Sequence, residues 1–192
     1  MIRNIHTHAG FTLLELMVTL AIAAILATLA APNFSNIIAN NRMVTQINEL
    51  NTSLSVARSE AIKRNATITL CKSTDQENCA AGDWDSSDNG WIVFVDNNSD
   101  NDAKDDGEEI LRIQDTLSGS LKLKFNNDGK ISYRASGLAN KAGTFTLCDQ
   151  RSSAQKYAKA LIINNTGRIR KAIDNGNNGI VDSGNGSDVD CS

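Results

Sequence analysis

Apolar residues run almost unbroken from Phe11 to Ala31, 21 positions interrupted by a single carboxylate, Glu15. That length is close to the ~20 residues an α-helix needs to cross hydrocarbon. After Pro32, which removes a backbone hydrogen bond and disturbs the helix before it, the pattern changes. Apolar positions recur at Phe34, Ile37, Ile38, Val44, Ile47, Leu50, Leu54, Ala57 and Ala61. Steps of three and four describe an amphipathic helix over 32–64, ending near Arg64–Asn65. From residue 65 the period shortens to two or to brief apolar runs. Eight strands are predicted, at 66–72, 91–96, 109–114, 121–125, 130–134, 144–148, 158–163 and 168–173. Asn126-Asn127-Asp128-Gly129 reads as a hairpin turn between the fourth and fifth. The expectation is an α+β fold: a long N-terminal helix packed on antiparallel sheets, with 65–192 forming one globular domain.

Composition agrees with short strands and polar turns. The chain has 192 residues, one proline, 5% aromatics and many Asn, Asp, Ser and Gly after residue 75. Four cysteines stand at 71, 79, 148 and 191, none in a CxxC pair, and both histidines precede residue 10. No metal site is expected, since zinc needs four N or S ligands at characteristic spacing. An even cysteine count beside an export segment reads as two disulfides. Of three possible pairings, the favoured one is Cys71–Cys79, closing a short loop, with Cys148–Cys191 tying down a tail that would otherwise be loose.

A small residue, Gly10, stands before the apolar run, whereas a secretory signal has its small-residue cleavage site after a shorter one. The stretch Gly10-Phe11-Thr12-Leu13-Leu14-Glu15-Leu16, with Pro32-Asn33-Phe34 downstream, resembles the type IV pilin and pseudopilin class. That resemblance implies a leader, residues 1–10, removed by a prepilin peptidase between Gly10 and Phe11. It also implies methylation of the new amine and an anchor, 11–31, in the bacterial inner membrane with the domain in the periplasm. A charge in the bilayer costs ~2.5–3.5 kcal/mol and wants a partner. Glu15 lies about one helical turn from the Phe11 amine and could pair with its own or a neighbouring subunit's, the latter setting subunit stagger during filament assembly. "DWDSSDNGWIVFVDNNSD", "GEEILRI", "GTFTLCD" and "ALIINNTGRIR" resemble the minor pilins and pseudopilins grouped as FimT, FimU and GspH.

Chemistry is sparse. With no histidine after residue 10, no G-x-S-x-G elbow and no P-loop, neither an enzyme nor a cofactor is expected. Asp96, Asn98, Asp100 and Asp102 mimic the start of an EF-hand loop, but Asn101 replaces the required glycine and Gly107 the final glutamate. A solvated loop is the better reading, and the acidic tail with Asp182, Asp188 and Asp190 is read the same way.

The basic residues are unevenly placed. Arg151, Lys156, Lys159, Arg168, Arg170 and Lys171 give +6 over 150–173 with no acid, while the rest of the chain after Gly10 carries 12 basic against 22 acidic side chains. A cationic patch on an acidic protein suits a polyanion. If Asn165-Thr166-Gly167 forms a three-residue hairpin loop, Ile163 faces Ile169 on the core side and Arg168 and Arg170 point away from it. Gly167 would also let backbone N–H groups approach a phosphate. Gly167-Arg168-Ile169-Arg170 matches the G-R-x-R motif of FimT-type minor pilins, a resemblance that implies DNA binding and uptake in natural transformation. Only Tyr157 is aromatic nearby, so phosphate contacts rather than base stacking would dominate. The alternative is a structural minor pilin or type II secretion pseudopilin that primes assembly and binds other pilins alone.

Overall fold

The computed structural model describes residues 10–82, 84, 90–98, 108–117, 119, 121–127, 129–149 and 154–191, without the side chains of 29–33. Two compact units divide at Asn40 and Asn41.

In the first unit, α1 (Leu13–Arg64) begins with a cap that the motif reading had not assigned. The Thr12 hydroxyl accepts the Glu15 amide at 3.2 Å, and Glu15 Oε2 accepts the Thr12 amide at 3.5 Å. Thr12-x-x-Glu15 is thus a capping box, two otherwise orphaned N–H groups satisfied reciprocally. Phe11, Leu13, Leu14, Met17 and Leu20 are exposed. Helical backbone continues through Pro32. Among the described residues no helix is long and apolar enough to cross a membrane. The expected span to Ala31 runs into positions whose side chains lie outside the description.

The second unit starts with the C-terminal part of α1. Met43, Ile47, Leu50, Leu54, Ala57 and Ala61 are buried, at steps of three and four. The helix stops where predicted. Asn65 adopts φ 52°, and the Ala66 amide bonds the Ala61 carbonyl at 3.2 Å, a Schellman closure.

Eight strands follow in two antiparallel sheets. Sheet A contains β1 (Thr67–Ser73), β2 (Gly90–Asp96), β3 (Ile110–Gln114) and β5 (Ile131–Tyr133), in the order β3-β2-β1-β5. Sheet B contains β4 (Leu121–Phe125), β6 (Gly143–Asp149), β7 (Lys159–Ile163) and β8 (Ile169–Lys171), in the order β4-β6-β7-β8. Each predicted strand is present. One prediction fails: Asn126–Gly129 does not close a hairpin, because β4 pairs with β6 and β5 with β1. That segment passes from one sheet to the other. The Asn126 side chain accepts the Thr144 amide at 2.7 Å and the Gly129 carbonyl accepts the Trp84 indole N–H at 2.7 Å, so these groups are satisfied outside any hairpin ladder.

The α1 stripe meets the inner faces of both sheets in one core, with Ile68, Leu70, Trp91, Ile131, Tyr133, Phe145, Leu147, Leu161 and Ile163. Burying each large side chain stabilises by about 1.5–3 kcal/mol. The outer faces are covered too. Cys71, Ile92 and Phe94 pack with Cys79 and Ile110 outside sheet A, while Ala158, Ala160 and Val189 pack with Ile180, Val181 and Cys191 outside sheet B. Both covers are cross-linked: Cys71–Cys79 and Cys148–Cys191 are disulfides, with Cα separations of 5.6 and 5.8 Å. The tail held by Cys148–Cys191 is also folded onto sheet B. The Gly184 amide donates to the Thr144 hydroxyl at 2.9 Å, and the Val189 amide to the Val181 carbonyl at 3.0 Å. Between β6 and β7 lies a one-turn helix, α2 (Ala154–Tyr157), too short to give a periodic signal.

Candidate functional site

The β7–β8 hairpin has the expected register, Ile163 opposite Ile169 and Ile162 opposite Arg170. Its loop is built by Asn164. The Gly167 amide bonds the Asn164 carbonyl at 2.8 Å, the Arg168 amide bonds Asn164 Oδ1 at 2.9 Å, and the Asn164 amide returns to the Arg168 carbonyl at 3.2 Å. Gly167 sits at φ +74°, and a Cβ there would lie 2.1 Å from the Gly137 carbonyl oxygen. Glycine is therefore required by conformation and by space. This corrects the expectation that the loop offers free amides to a phosphate. Gly167 is buried, and its N–H and that of Arg168 are already used.

The side chains carry the charge outward. Arg168 and Arg170 are exposed, with half-buried Ile169 packing on the main core between them. Among the described residues neither arginine pairs with a carboxylate. Lys171 behaves differently: register places it opposite Leu161, on the helix side, and its Nζ donates to Asn48 Oδ1 at 2.9 Å. Lys159 opens β7 and Lys156 lies in α2. With Ile163 four residues further along β7, Lys159 stands roughly 13 Å from the loop end. The basic window thus spreads along the hairpin rather than forming one cluster. Arg151 lies outside the described residues, as do Asp100, Asn101, Asp102 and Gly107 of the acidic loop.

A residue that charge counting missed completes the site. Arg58, on α1, donates Nε to the Gly137 carbonyl at 3.1 Å and Nη2 to the Thr166 carbonyl, also at 3.1 Å. It fastens the hairpin loop to the helix. Between them opens a groove of about 460 Å³, lined by Asn51, Ser55, Arg58, Ser59, Ile62, Arg168 and Ile169. The signal was present in the sequence. Arg58 is four residues after Leu54, so a cation occupies the core-facing side of the helix.

Elsewhere several charges are matched. On sheet A, Arg112 Nη2 meets Glu49 Oε2 at 2.5 Å and its Nε bonds the Ser53 hydroxyl at 3.0 Å. Arg64 bridges Glu60 and Glu109 at 2.5 and 2.6 Å, and hydrogen bonds from Arg64 and Lys63 hold the Glu60 carboxyl below its usual range. Burial pushes the Tyr133 phenol well above its usual range, partly offset by the nearby Arg58 charge. The acidic tail uses its carboxylates locally: Asp174 accepts the Asn178 and Gly179 amides, Asp182 the Asn175 amide and Asp188 the Asn178 side chain. No group of three metal-ligating residues occurs among the described residues.

Comparison with known proteins gives two family matches: the type II transport protein GspH over residues 46–167, and the prokaryotic N-terminal methylation motif over 5–31. The type IV minor pilin FimU of Pseudomonas aeruginosa superposes with a TM-score of 0.54 at 23% identity, over 69% of this chain and 90% of that one. The minor pseudopilin EpsH from the type 2 secretion system of Vibrio cholerae matches at 13% identity and a TM-score of 0.46, over 68% and 95%. The FimU likeness shows the type IV pilin-like fold. No curated protein sequence matches.

Proposed function

The chain belongs to the GspH family of type II transport proteins, and from that premise we propose a finer function than minor pilin or pseudopilin: a type IV pilus subunit that binds DNA and supports its uptake. The observation carrying this is the pair Arg168 and Arg170, exposed on a hairpin whose loop is fixed from within and paired with no carboxylate among the described residues. A guanidinium fork matches two phosphate oxygens at once, and an unneutralised pair attracts a polyanion over a Debye length of about 8–10 Å. The contacts are to backbone phosphate, so recognition is independent of sequence. Lys171 and Lys159 on the strands and Lys156 in α2 add positive charge, and Arg151 adds a further cation in the sequence between β6 and α2.

Entry into the filament follows from the N-terminal motif. Prepilin peptidase cleaves between Gly10 and Phe11, the inner membrane holds the apolar helix, and other pilins are the partners. Glu15, one turn from the new Phe11 amine, exchanges its capping contact with Thr12 for an ion pair with a subunit amine.

The family match favours a second reading, in which the domain primes a secretion filament and binds pilins alone. Replacing both Arg168 and Arg170 by Gln in cells separates the two. The DNA reading expects transformation to fall while filament number is unchanged. Normal transformation with reduced filament assembly would support the second reading.

A further inference from the structure

We propose that the groove between α1 and the β7–β8 hairpin seats one backbone phosphate, with Arg58 as a phosphate ligand beside Arg168. This rests on the DNA reading and adds to it a residue from the helix. Three observations carry it. Arg58 is half-buried and lines the groove next to Arg168. Its guanidinium is oriented by two neutral carbonyls, Gly137 and Thr166, which leave its charge uncompensated and its Nη1 without a hydrogen bond among the described residues. The acid two residues along the helix, Glu60, is already engaged by Lys63 at 3.1 Å and Arg64 at 2.5 Å.

An arginine held on one edge and open on the other presents its remaining donors without losing further side-chain freedom. The neutral groups around it do not compete. Ser55 donates its hydroxyl to the Asn51 carbonyl at 2.7 Å, and Ser59 to that of Val56 at 3.0 Å. Apart from the Asn51 side-chain amide, the donors facing the groove are therefore cationic, while Ile62 and Ile169 supply apolar walls. Such a groove selects for negative charge rather than for a pattern of donors and acceptors. That suits a phosphodiester met in any sequence context.

The test uses the full chain in non-ionic detergent, titrated into labelled duplex DNA from about 50 to 200 mM salt. Wild type, Arg58→Gln, Arg58→Lys and the Arg168→Gln/Arg170→Gln pair are compared. Losing one phosphate contact reduces the slope of log K against log salt by about 0.9. Arg58→Gln is expected to show that reduction. Arg58→Lys, which keeps the charge but cannot hold both carbonyls in one fork, is expected to keep the wild-type slope. Equal losses in the two variants would mean that Arg58 only anchors the loop, overturning the proposal. An unchanged slope in Arg58→Gln beside lost binding in the hairpin pair would overturn it too, leaving the DNA reading intact. A wild-type chain that binds no DNA at low salt would overturn both.

Discussion

Sheets A and B have the same plan: four antiparallel strands, an inner face on α1 and an outer face covered by a disulfide-held segment. They differ in what happens to their cations. On sheet A, Arg112 meets Glu49 and Ser53, and Arg64 meets Glu109. On sheet B the hairpin leaves Arg168 and Arg170 exposed and without carboxylates among the described residues. Equal scaffolds with unequal charge satisfaction separate the two jobs a surface arginine can do. Paired charges hold elements together, and unpaired ones are available to a ligand.

The largest effect should come from the outer covers. Opening Cys148–Cys191, 43 residues apart, by Ser substitution is expected to cost about 4 kcal/mol, against about 2.5 kcal/mol for Cys71–Cys79, 8 apart. Denaturant unfolding of each variant checks the ordering. Equal losses would mean that strand packing, not loop closure, sets each cover's contribution.

Next is Gly167→Ala. A side chain at φ +74° costs about 1–3 kcal/mol, and the Gly137 carbonyl must also move. The variant should be less stable and lose the fixed presentation of Arg168, visible as faster amide exchange at residues 164–168. Arg112→Gln, on the paired sheet, should cost about 1 kcal/mol in thermal unfolding and leave DNA affinity unchanged.

The smallest stability effect is pH-dependent and belongs to the loop closed by Cys71–Cys79. The Asn78 side chain, the Asn78 and Glu77 amides and the Ser73 hydroxyl hold the Asp75 carboxyl far below its usual range. A depressed folded pKa stabilises above the unfolded value near 4. That contribution is lost as pH falls through the lowered folded value. Asp75→Asn should flatten the acid limb of the stability profile, and an unchanged limb would assign it to other carboxylates.

Much of this was legible in the sequence because local pattern and tertiary structure agree. Period two located the strands, the three–four stripe located the buried side of α1, and Asn65 marked its end. The failures share a cause. Asn126–Gly129 has hairpin chemistry, but strand partners are chosen by the core, and the partners of β4 and β5 are β6 and β1. Arg58 joined the site through carbonyls 79 and 108 residues away, which no charge window spans. By contrast, Cys148–Cys191 ties the tail down, and its few apolar residues, Ile180, Val181 and Val189, pack on the outer face of β7 as well. Thr12-x-x-Glu15 is readable as a capping box from its spacing alone, beside the filament ion pair that the N-terminal motif implies.

The measurement that bears most directly on the account is duplex DNA binding by the full chain against salt concentration, with Arg112→Gln and the Arg168→Gln/Arg170→Gln pair alongside. The account predicts binding that weakens steeply with salt, survives Arg112→Gln and disappears in the hairpin pair, whose unfolding should shift by no more than about 0.5 kcal/mol. Undiminished binding in the hairpin pair, or no binding by wild type at low salt, would contradict it.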